Sequence, residues 1–280
     1  MITIRASSTT GYLDCALRAA AHSAPALFAE HGWELAPPRA NIGALIGSGV
    51  HGAAEPALTE RMLSGTVMPV DAIEDAGIEA FRSRRSEEAE TVAEIVMDND
   101  SPSMDDAERQ IRRMARQYRT DVLQQSEPVA VESRITATFA EGIVLSGQAD
   151  LLHLDGRERH VVRDLKTGRH RKAAMHHAAQ LGSYSLLFRS KGYDTGGGQI
   201  DYLPRSALKK PQGAVEPMPL DIFAAEQIAH AVLTDMGGKL LAFAADGNPS
   251  RFLPNPSSNL CSYRFCRLFG TPACPATRSS

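Results

Sequence analysis

The apolar pattern of this chain changes its period in the middle, and this change limits the possible folds more than any other feature. Before about residue 128 apolar residues recur at helical spacing, whereas three later segments alternate or run apolar with many β-branched residues. The three predicted strands are Val129–Phe139, Ile143–Leu154 and Arg159–Lys166. Helical spacing returns at about Ala173–Arg189 and Asp221–Ala244. Strands flanked by helices on both sides predict an α/β fold, in which a central mixed sheet is covered by helices.

No internal repeat or linker divides the 280 residues, so a single domain is predicted. Residues 1–127 are expected to be mainly helical, residues 128–220 to form the α/β core, and residues 221–280 to add a helix and a cysteine-rich tail. A further strand is predicted at Gln199–Leu203.

Four helical segments are predicted in the first part. A short first helix is expected to carry Cys15, and Ile42–Met62 is expected to form a helix that Pro56 bends or interrupts. A long polar helix is predicted over Asp71–Asp98. Ser103 then reads as the start of a capping box that opens another helix.

The charge balance excludes a strongly basic protein, because 30 Lys and Arg face 33 Asp and Glu, a net charge of −3. A nucleic-acid site therefore requires local clustering of basic residues. No run approaches 18 apolar residues, and the first residues lack the apolar segment of a secretion signal. These features predict a soluble, cytoplasmic protein without a membrane span.

One such basic cluster falls on a single face of the helix that follows Ser103. Its members are Arg109, Arg112, Arg113, Arg116 and Arg119. A solvated charged face is the ordinary interpretation. Because almost no acid is interleaved after Glu108 to form i,i+4 pairs, the arginines are also candidates for phosphate contact.

Two acids and a lysine converge in the predicted strands. A hairpin centred near Arg157 places Asp150 directly opposite Asp164, and like charges so placed destabilise a sheet unless a divalent cation lies between them. Lys166 points to the same side as Asp164, because side chains two residues apart share a face. The pattern predicts two oxygen ligands and one ammonium on one face, and an exposed strand end with scattered charges is the alternative.

The four cysteines are distributed unevenly. Cys15 lies near the start, whereas Cys261, Cys266 and Cys274 fall near the end. Disulfides are not expected in a reducing cytosol, so the four thiolates predict one metal centre. Four unrelated thiols remain the alternative.

In combination, these motifs resemble the PD-(D/E)XK nucleases, specifically the RecB-like branch that includes CRISPR-associated exonucleases. The resemblance rests on Gly47-x-x-x-His51, Gly147-x-x-Asp150, Asp164-x-Lys166-Thr167-Gly168 and Gln180-x-x-x-Tyr184, in that order. It implies a restriction-endonuclease-like core and the hydrolysis of phosphodiester bonds.

The resemblance also implies the site. The residues it implies for holding Mg²⁺ or Mn²⁺ are His51, Asp150, Asp164 and Leu165, the last through its backbone carbonyl. The imidazole favours Mn²⁺ slightly. Lys166 would orient the attacking water and stabilise the charge that develops on the phosphate.

Further residues are candidates for supporting roles. By the resemblance, Gln180 would position Lys166 or the phosphate, and Tyr184 would touch DNA or simply pack. Glu132, on the preceding strand, is a candidate acid behind the metal ligands. The basic segment 169–172 is either a solvated turn or a phosphate clamp.

Many members of this branch hold a 4Fe–4S cluster by one early and three late cysteines, which Cys15 with Cys261, Cys266 and Cys274 resembles. The late spacing, C-x4-C-x7-C, is wider than is common there, which leaves zinc open as an alternative to iron.

The expected function is that of a metal-dependent DNA exonuclease acting on single strands or duplex ends, in repair, recombination or phage DNA processing. The alternatives are a non-catalytic DNA-binding iron–sulfur protein of the same fold and a nuclease that works only inside a complex. The sequence contains no G-x-x-x-x-G-K-[ST] motif, so a helicase partner would be a separate chain.

Overall fold

The structure, a computed structural model, describes residues 1–91, 94–99, 101 and 103–277. The helices in these ranges are α1 (Ser8–Asp14), α2 (Ala16–Ser23), α3 (Pro25–Glu30), α4 (Ile42–Ser64), α5 (Val70–Thr91), α6 (Met104–Asp121), α7 (Ala178–Arg189) and α8 (Ile222–Asp246). The strands are β1 (Ile2–Arg5), β2 (Ala40–Asn41), β3 (Ile95–Val96), β4 (Pro128–Ala140), β5 (Ile143–Leu154), β6 (His160–Gly168), β7 (Thr195–Pro204) and β8 (Glu216–Leu220).

Six of these strands form one mixed sheet around β5. Strand β4 pairs antiparallel with β5 along one edge, while β1, which is parallel, and β6, which is antiparallel, share its other edge. Strand β6 pairs parallel with β7, which pairs antiparallel with β8. The short strands β2 and β3 pair separately.

The shared edge of β5 leaves a gap beside its centre. Strand β1 pairs with β5 as far as Ser146, and β6 pairs with it only from Leu151. Helix α7 packs against the strand between these points, where a Cβ on Gly147 would lie 2.8 Å from Leu187 Cδ1 and 3.0 Å from Tyr184 Cε1. Only glycine permits this approach, which brings α7 next to Asp150.

Helices cover both faces of the sheet. One apolar core joins α4, α5 and α6 to Leu151 and Leu165 of the sheet. A second core joins α1, α2, α7 and α8 to the opposite face, which includes Leu152 and Val162. The chain therefore has the predicted α/β fold, with a central mixed sheet flanked by helices.

Two details of the predicted helices are wrong. Cys15 does not lie on a helix, because its extended backbone (φ −150°, ψ 103°) separates α1 from α2. The polar helix does not reach Asp98, because Ile95–Val96 is a strand; its described part is Val70–Thr91, and residues 92 and 93 lie outside the described residues. Pro56 does not interrupt α4, which continues to Ser64, and the alternative of a bend stays a prediction.

Other predictions hold or need extension. Ser103 Oγ accepts a hydrogen bond from the Asp106 amide at the start of α6, which confirms that Ser103 caps this helix. The long strands begin and end within a few residues of the predicted positions. The short strands β1 and β8 were not predicted, because four or five residues show too little alternation.

The arginines of α6 have partners on neighbouring elements. Arg112 contacts Asp75 and Glu74, and Arg116 forms two hydrogen bonds to Glu74, while Arg113 donates to carbonyls of the segment 207–210. These acids belong to α5, so spacing within α6 could not reveal them. The contacts favour a structural role, in which the arginines join α6 to its neighbours, over the predicted phosphate contact.

Helix α8 is long and apolar enough to cross a membrane by length and composition alone. It packs on α7, and Leu233, Met236 and Leu240 are fully buried in the core on that side of the sheet. Core helices of soluble proteins have the same composition.

Candidate active site

Three acids occupy neighbouring positions on three adjacent strands. Val131 pairs with Leu151 and Ser133 pairs with Ala149, so Glu132 of β4 lies opposite Asp150 of β5. Strand β6 pairs with β5 in the register predicted for the hairpin, which brings Asp164 to the other side of Asp150. The Asp150 carboxylate accepts a hydrogen bond from the Leu165 amide at 2.7 Å.

Glu132 adopts an unusual backbone conformation, with φ of +42°. Non-glycine residues in this region carry strain, which persists where the surroundings hold the residue. Gln148 donates to Glu132 Oε2 at 2.9 Å, and His51 lies 3.9 Å from Glu132 Oε1. The strained position therefore aims the carboxylate toward the acids of the neighbouring strands.

Helix α4 supplies the histidine. A Cβ on Gly47 would lie 3.0 Å from Thr167 Oγ1, so the glycine lets α4 approach the end of β6. One turn later, His51 Nδ1 lies 3.5 Å from Asp150 Oδ2. The imidazole is 31% exposed and faces a cleft.

Asp164 is held between β6 and α7. Lys166 Nζ lies 2.6 Å from Asp164 Oδ2, and Gln180 Nε2 lies 3.3 Å from Asp164 Oδ1. The same amide donates to the Tyr184 hydroxyl at 2.8 Å. Gln180 thus contacts Asp164 rather than Lys166, and Tyr184 is only 4% exposed.

The charges of the cluster determine its protonation. Burial raises the pKa of Asp164 to about 6, with the Asp150 charge acting in the same direction and Lys166 against it. Burial also acts to raise the pKa of Asp150, but the charges of His51 and Lys166 outweigh it and lower that pKa. Burial acts to lower the pKa of His51, yet Asp150 and Glu132 raise it to about 10. Without a bound cation, His51 therefore serves as the counter-charge.

The cluster could accommodate a divalent cation. The ligand atoms of His51, Glu132 and Asp150 all lie within 4.8 Å of one another. Cation–oxygen bonds of 2.0–2.2 Å place neighbouring ligand atoms about 3 to 4 Å apart, so small shifts complete the coordination. The buried Asp164 Oδ2 contacts Lys166 Nζ and has no other polar partner in the described part of the chain. One nitrogen and several carboxylate oxygens suit Mg²⁺ or Mn²⁺.

The cluster lies at an open, polar cleft. The cleft has a volume of about 610 Å³, and His51, Glu132, Leu165 and Lys166 line it. The predicted site residues thus lie together around one cleft or directly behind it. Glu132 was predicted only as a supporting acid, but its Oε1 lies 3.9 Å from His51 Nδ1, within the spacing that ligands of one cation can have. The sequence feature that could have identified it as a ligand is its position opposite Asp150 on the neighbouring strand.

The basic segment that follows β6 is engaged with acids. Arg169 contacts Asp98 at 3.0 Å, and Arg171 contacts Glu216 at 2.6 Å. Both partners are distant in sequence, so these ion pairs favour a structural role for the segment over a phosphate clamp.

The four cysteines lie together at the junction of α1, α2 and the C-terminal loop. All four line one small, apolar cavity, and none forms a disulfide. The Asn255 amide donates to Cys15 Sγ at 3.4 Å. Burial, with the neighbouring thiols of Cys274 and Cys15, raises the pKa of Cys261.

The mixed sheet thus carries an acid–lysine cluster that, with a histidine from a flanking helix, could hold a divalent cation beside a fixed ammonium. The family model of the PD-(D/E)XK nuclease superfamily matches residues 4–268, and the chain belongs to this superfamily. The crystal structure of SSO0001 is similar at 15% sequence identity and a TM-score of 0.26, with 70% of this chain and 75% of that chain covered. No curated protein matches the chain.

Proposed function

We propose that this protein is a metal-dependent DNA exonuclease that acts on single strands or duplex ends. The observation that carries the proposal is the convergence of His51, Glu132 and Asp150 beside the Asp164–Lys166 ion pair at an open cleft. The order of the motifs, which resembles the RecB-like branch, supports an exonuclease that works in DNA repair, recombination or phage DNA processing.

The proposed ligands of the cation are His51, Asp150, Asp164 and the carbonyl of Leu165, with Glu132 as an additional carboxylate. When bound, Mg²⁺ or Mn²⁺ supplies Lewis-acid polarisation of the scissile phosphate and a water of lowered pKa. The protein contributes a fixed arrangement of donors, in which the Leu165 amide orients Asp150 by a hydrogen bond of 2.7 Å.

Lys166 is proposed as the catalytic ammonium. It lines the cleft, and the charges of Asp164 and Asp150 overcome the effect of burial and raise its pKa, so the amine stays protonated. A fixed positive charge at this place orients a water molecule and stabilises the charge that develops on the phosphate. Gln180 and Tyr184 are proposed as positioning residues, because Gln180 Nε2 donates to Asp164 Oδ1 and also to the Tyr184 hydroxyl.

The cysteines are proposed to hold a 4Fe–4S cluster. The proposal is supported by the resemblance of one early and three late cysteines to the cluster-bearing members of this branch, and by the position of all four around one apolar cavity. A tetrahedral zinc site is the alternative.

The test of the proposed activity is digestion of end-labelled single-stranded and duplex DNA in the presence of Mg²⁺, Mn²⁺ or EDTA. We expect cleavage from an end with either cation and none with EDTA. Binding of DNA without cleavage under any of these conditions would instead support the non-catalytic protein. Cleavage that appears only after addition of a helicase or recombination protein would support the complex-dependent nuclease.

A further inference from the structure

Three clefts follow one another across the molecule, starting at the candidate active site. The active-site cleft shares Glu132 and Gln148 with a second cleft of about 610 Å³, here called the β1 groove. The β1 groove is lined by residues that include Arg5, Ser7, Arg134 and Ser146. Ser7 also lines a third cavity of about 250 Å³, here called the Phe265 pocket. The shared residues show that each cleft borders the next.

The β1 groove carries positive charge at its surface. Arg5 lies at the end of β1 and Arg134 on β4, and both are exposed. Arg5 forms no ion pair in the part of the chain that the structure describes. Arg134 donates to Gln148, which in turn donates to Glu132 of the acid cluster. Guanidinium groups so placed match the phosphates of a strand that passes the cluster.

The Phe265 pocket combines positive charge with an apolar wall. Arg18, His22 and Arg267 line it, together with Leu260, Phe265 and Leu268. Asp14 neutralises Arg18 through an ion pair of 2.7 Å, whereas Arg267 Nε donates to the Ala36 carbonyl at 2.6 Å. Partial burial, with the charges of Arg267, Arg5 and Arg18, lowers the pKa of His22, as expected where cations gather.

The size of this pocket suits one nucleobase. The pocket has a volume of about 250 Å³ and is partly open to solvent. Phe265, which lines it, is 45% exposed. Bases stack on exposed aromatic rings when they are unpaired, which a duplex does not permit. The combination of a stacking ring, nearby cations and a groove leading to the acid cluster therefore fits a single strand better than a duplex.

We infer that a single DNA strand runs from the candidate active site along the β1 groove and places an unpaired base against Phe265. This inference rests on the proposed nuclease function for the nature of the ligand. It adds a binding subsite at the cysteine-bearing end of the molecule, so the C-terminal loop takes part in substrate binding as well as in holding the two chain ends together.

The test is the affinity of single-stranded oligonucleotides of about 2 to 16 nucleotides, measured by fluorescence anisotropy in EDTA so that no cleavage occurs. We expect Phe265→Ala to weaken binding of long oligonucleotides about 5- to 100-fold, since stacking on one aromatic ring contributes this much. Short oligonucleotides that cannot span the groove should bind equally to both proteins. Phe223→Ala, at a similarly exposed ring on α8, is the matched control.

A second variant avoids the neighbourhood of the cysteines. Arg5→Gln, on β1, should reduce the slope of log affinity against log salt by about 0.7, because one phosphate contact on a single strand is lost. Arg157→Gln, at the exposed turn after β5, should leave that slope unchanged. Visible absorbance and thermal unfolding should match wild type in all four variants.

Two results would overturn the inference. One is unchanged affinity in both Phe265→Ala and Arg5→Gln while the wild type still cleaves DNA, which would leave the nuclease intact and remove the path. The other is an equal loss for duplex and single-stranded DNA in Phe265→Ala, which would exclude stacking of an unpaired base. If the wild type binds with the expected length dependence but cleaves nothing, the nuclease proposal fails and the path remains.

Discussion

The acid cluster and the cysteine cluster are the two candidate metal sites, and they are built in opposite ways. The acids come from adjacent strands and contact one another through His51 and Lys166, so their charges are compensated without a cation. The cysteines come from residue 15 and from a loop at 261–274, and their sulfur atoms line a cavity without bonding to each other.

This difference separates the consequences expected for the two sites. The sheet holds the acid cluster in place whether or not a cation is bound. Substitutions in this cluster should therefore remove activity and leave the stability of the fold unchanged. A metal centre held by the cysteines would join residue 15 to the loop at 261–274, in addition to hydrogen bonds such as those from Asn255 and Ser258 to Asp14. Damage there should therefore lower stability first.

The largest expected effect concerns Asp164. Asp164→Asn keeps the shape of the side chain but removes a charge facing the cation, so cleavage should fall about 10²- to 10³-fold or more. The temperature of unfolding should stay close to that of wild type. Rates measured with labelled DNA, alongside thermal unfolding, check both points. Unfolding of the variant at a much lower temperature would mean that the acids stabilise the fold, which would contradict the expectation that damage to the acid cluster removes only activity.

Loss of one cysteine should produce the reverse result. Cys266→Ala should lower the free energy of unfolding by about 3 kcal/mol, because a crosslink between distant segments is lost, and should abolish visible absorbance from iron. Denaturant unfolding and an absorbance spectrum provide the measurement. Ser257→Ala, exposed on the same loop, serves as control. If wild-type protein purified without oxygen is colourless and no more stable than Cys266→Ala, that result would argue against the iron–sulfur site.

A smaller effect is expected where α4 approaches β6. Gly47→Ala brings a Cβ to 3.0 Å from Thr167 Oγ1, which pushes α4 and therefore His51 away from Asp150. Cleavage should fall about tenfold, with a loss of stability of about 1 kcal/mol. Gly238→Ala in α8 is the matched control, since a Cβ there meets open space and should be neutral or slightly stabilising. An equal loss of cleavage in both variants would remove the role given to Gly47.

The smallest effect is expected on α6. Arg116 is 65% exposed on its side chain and bound to Glu74, so Arg116→Gln should cost about 0.5 kcal/mol of stability and leave DNA affinity unchanged. Arg5→Gln in the same anisotropy assay should weaken binding. A marked loss of affinity in Arg116→Gln would restore the phosphate-contacting surface that the ion pairs argue against.

The sequence was sufficient to predict those elements whose pattern depends only on residues close together in the chain. Period-two alternation located β4, β5 and β6. A hairpin centred near Arg157 placed Asp150 beside Asp164, in the register that the structure shows. Two-residue spacing likewise put Lys166 beside Asp164. These features depend on neighbours in the chain, which is why they could be read from it.

What the sequence could not supply depends on contacts between distant segments. The partners of the α6 arginines are on α5, and the strained conformation of Glu132 depends on His51 and Gln148. Strand β1 is too short to show a period, yet it pairs with β5 from Ile143 to Ser146, next to the point where α7 packs on Gly147. Tertiary packing determines all three.

The most direct test of the account is calorimetric titration of Mn²⁺ into the wild-type protein and Asp150→Asn. We expect one Mn²⁺ site in the wild type, with affinity reduced about 10- to 100-fold in the variant and cleavage reduced in parallel. Equal Mn²⁺ affinity in both proteins, or DNA cleavage by the wild type in EDTA, would contradict the claim that these acids hold the cation that breaks the phosphodiester bond.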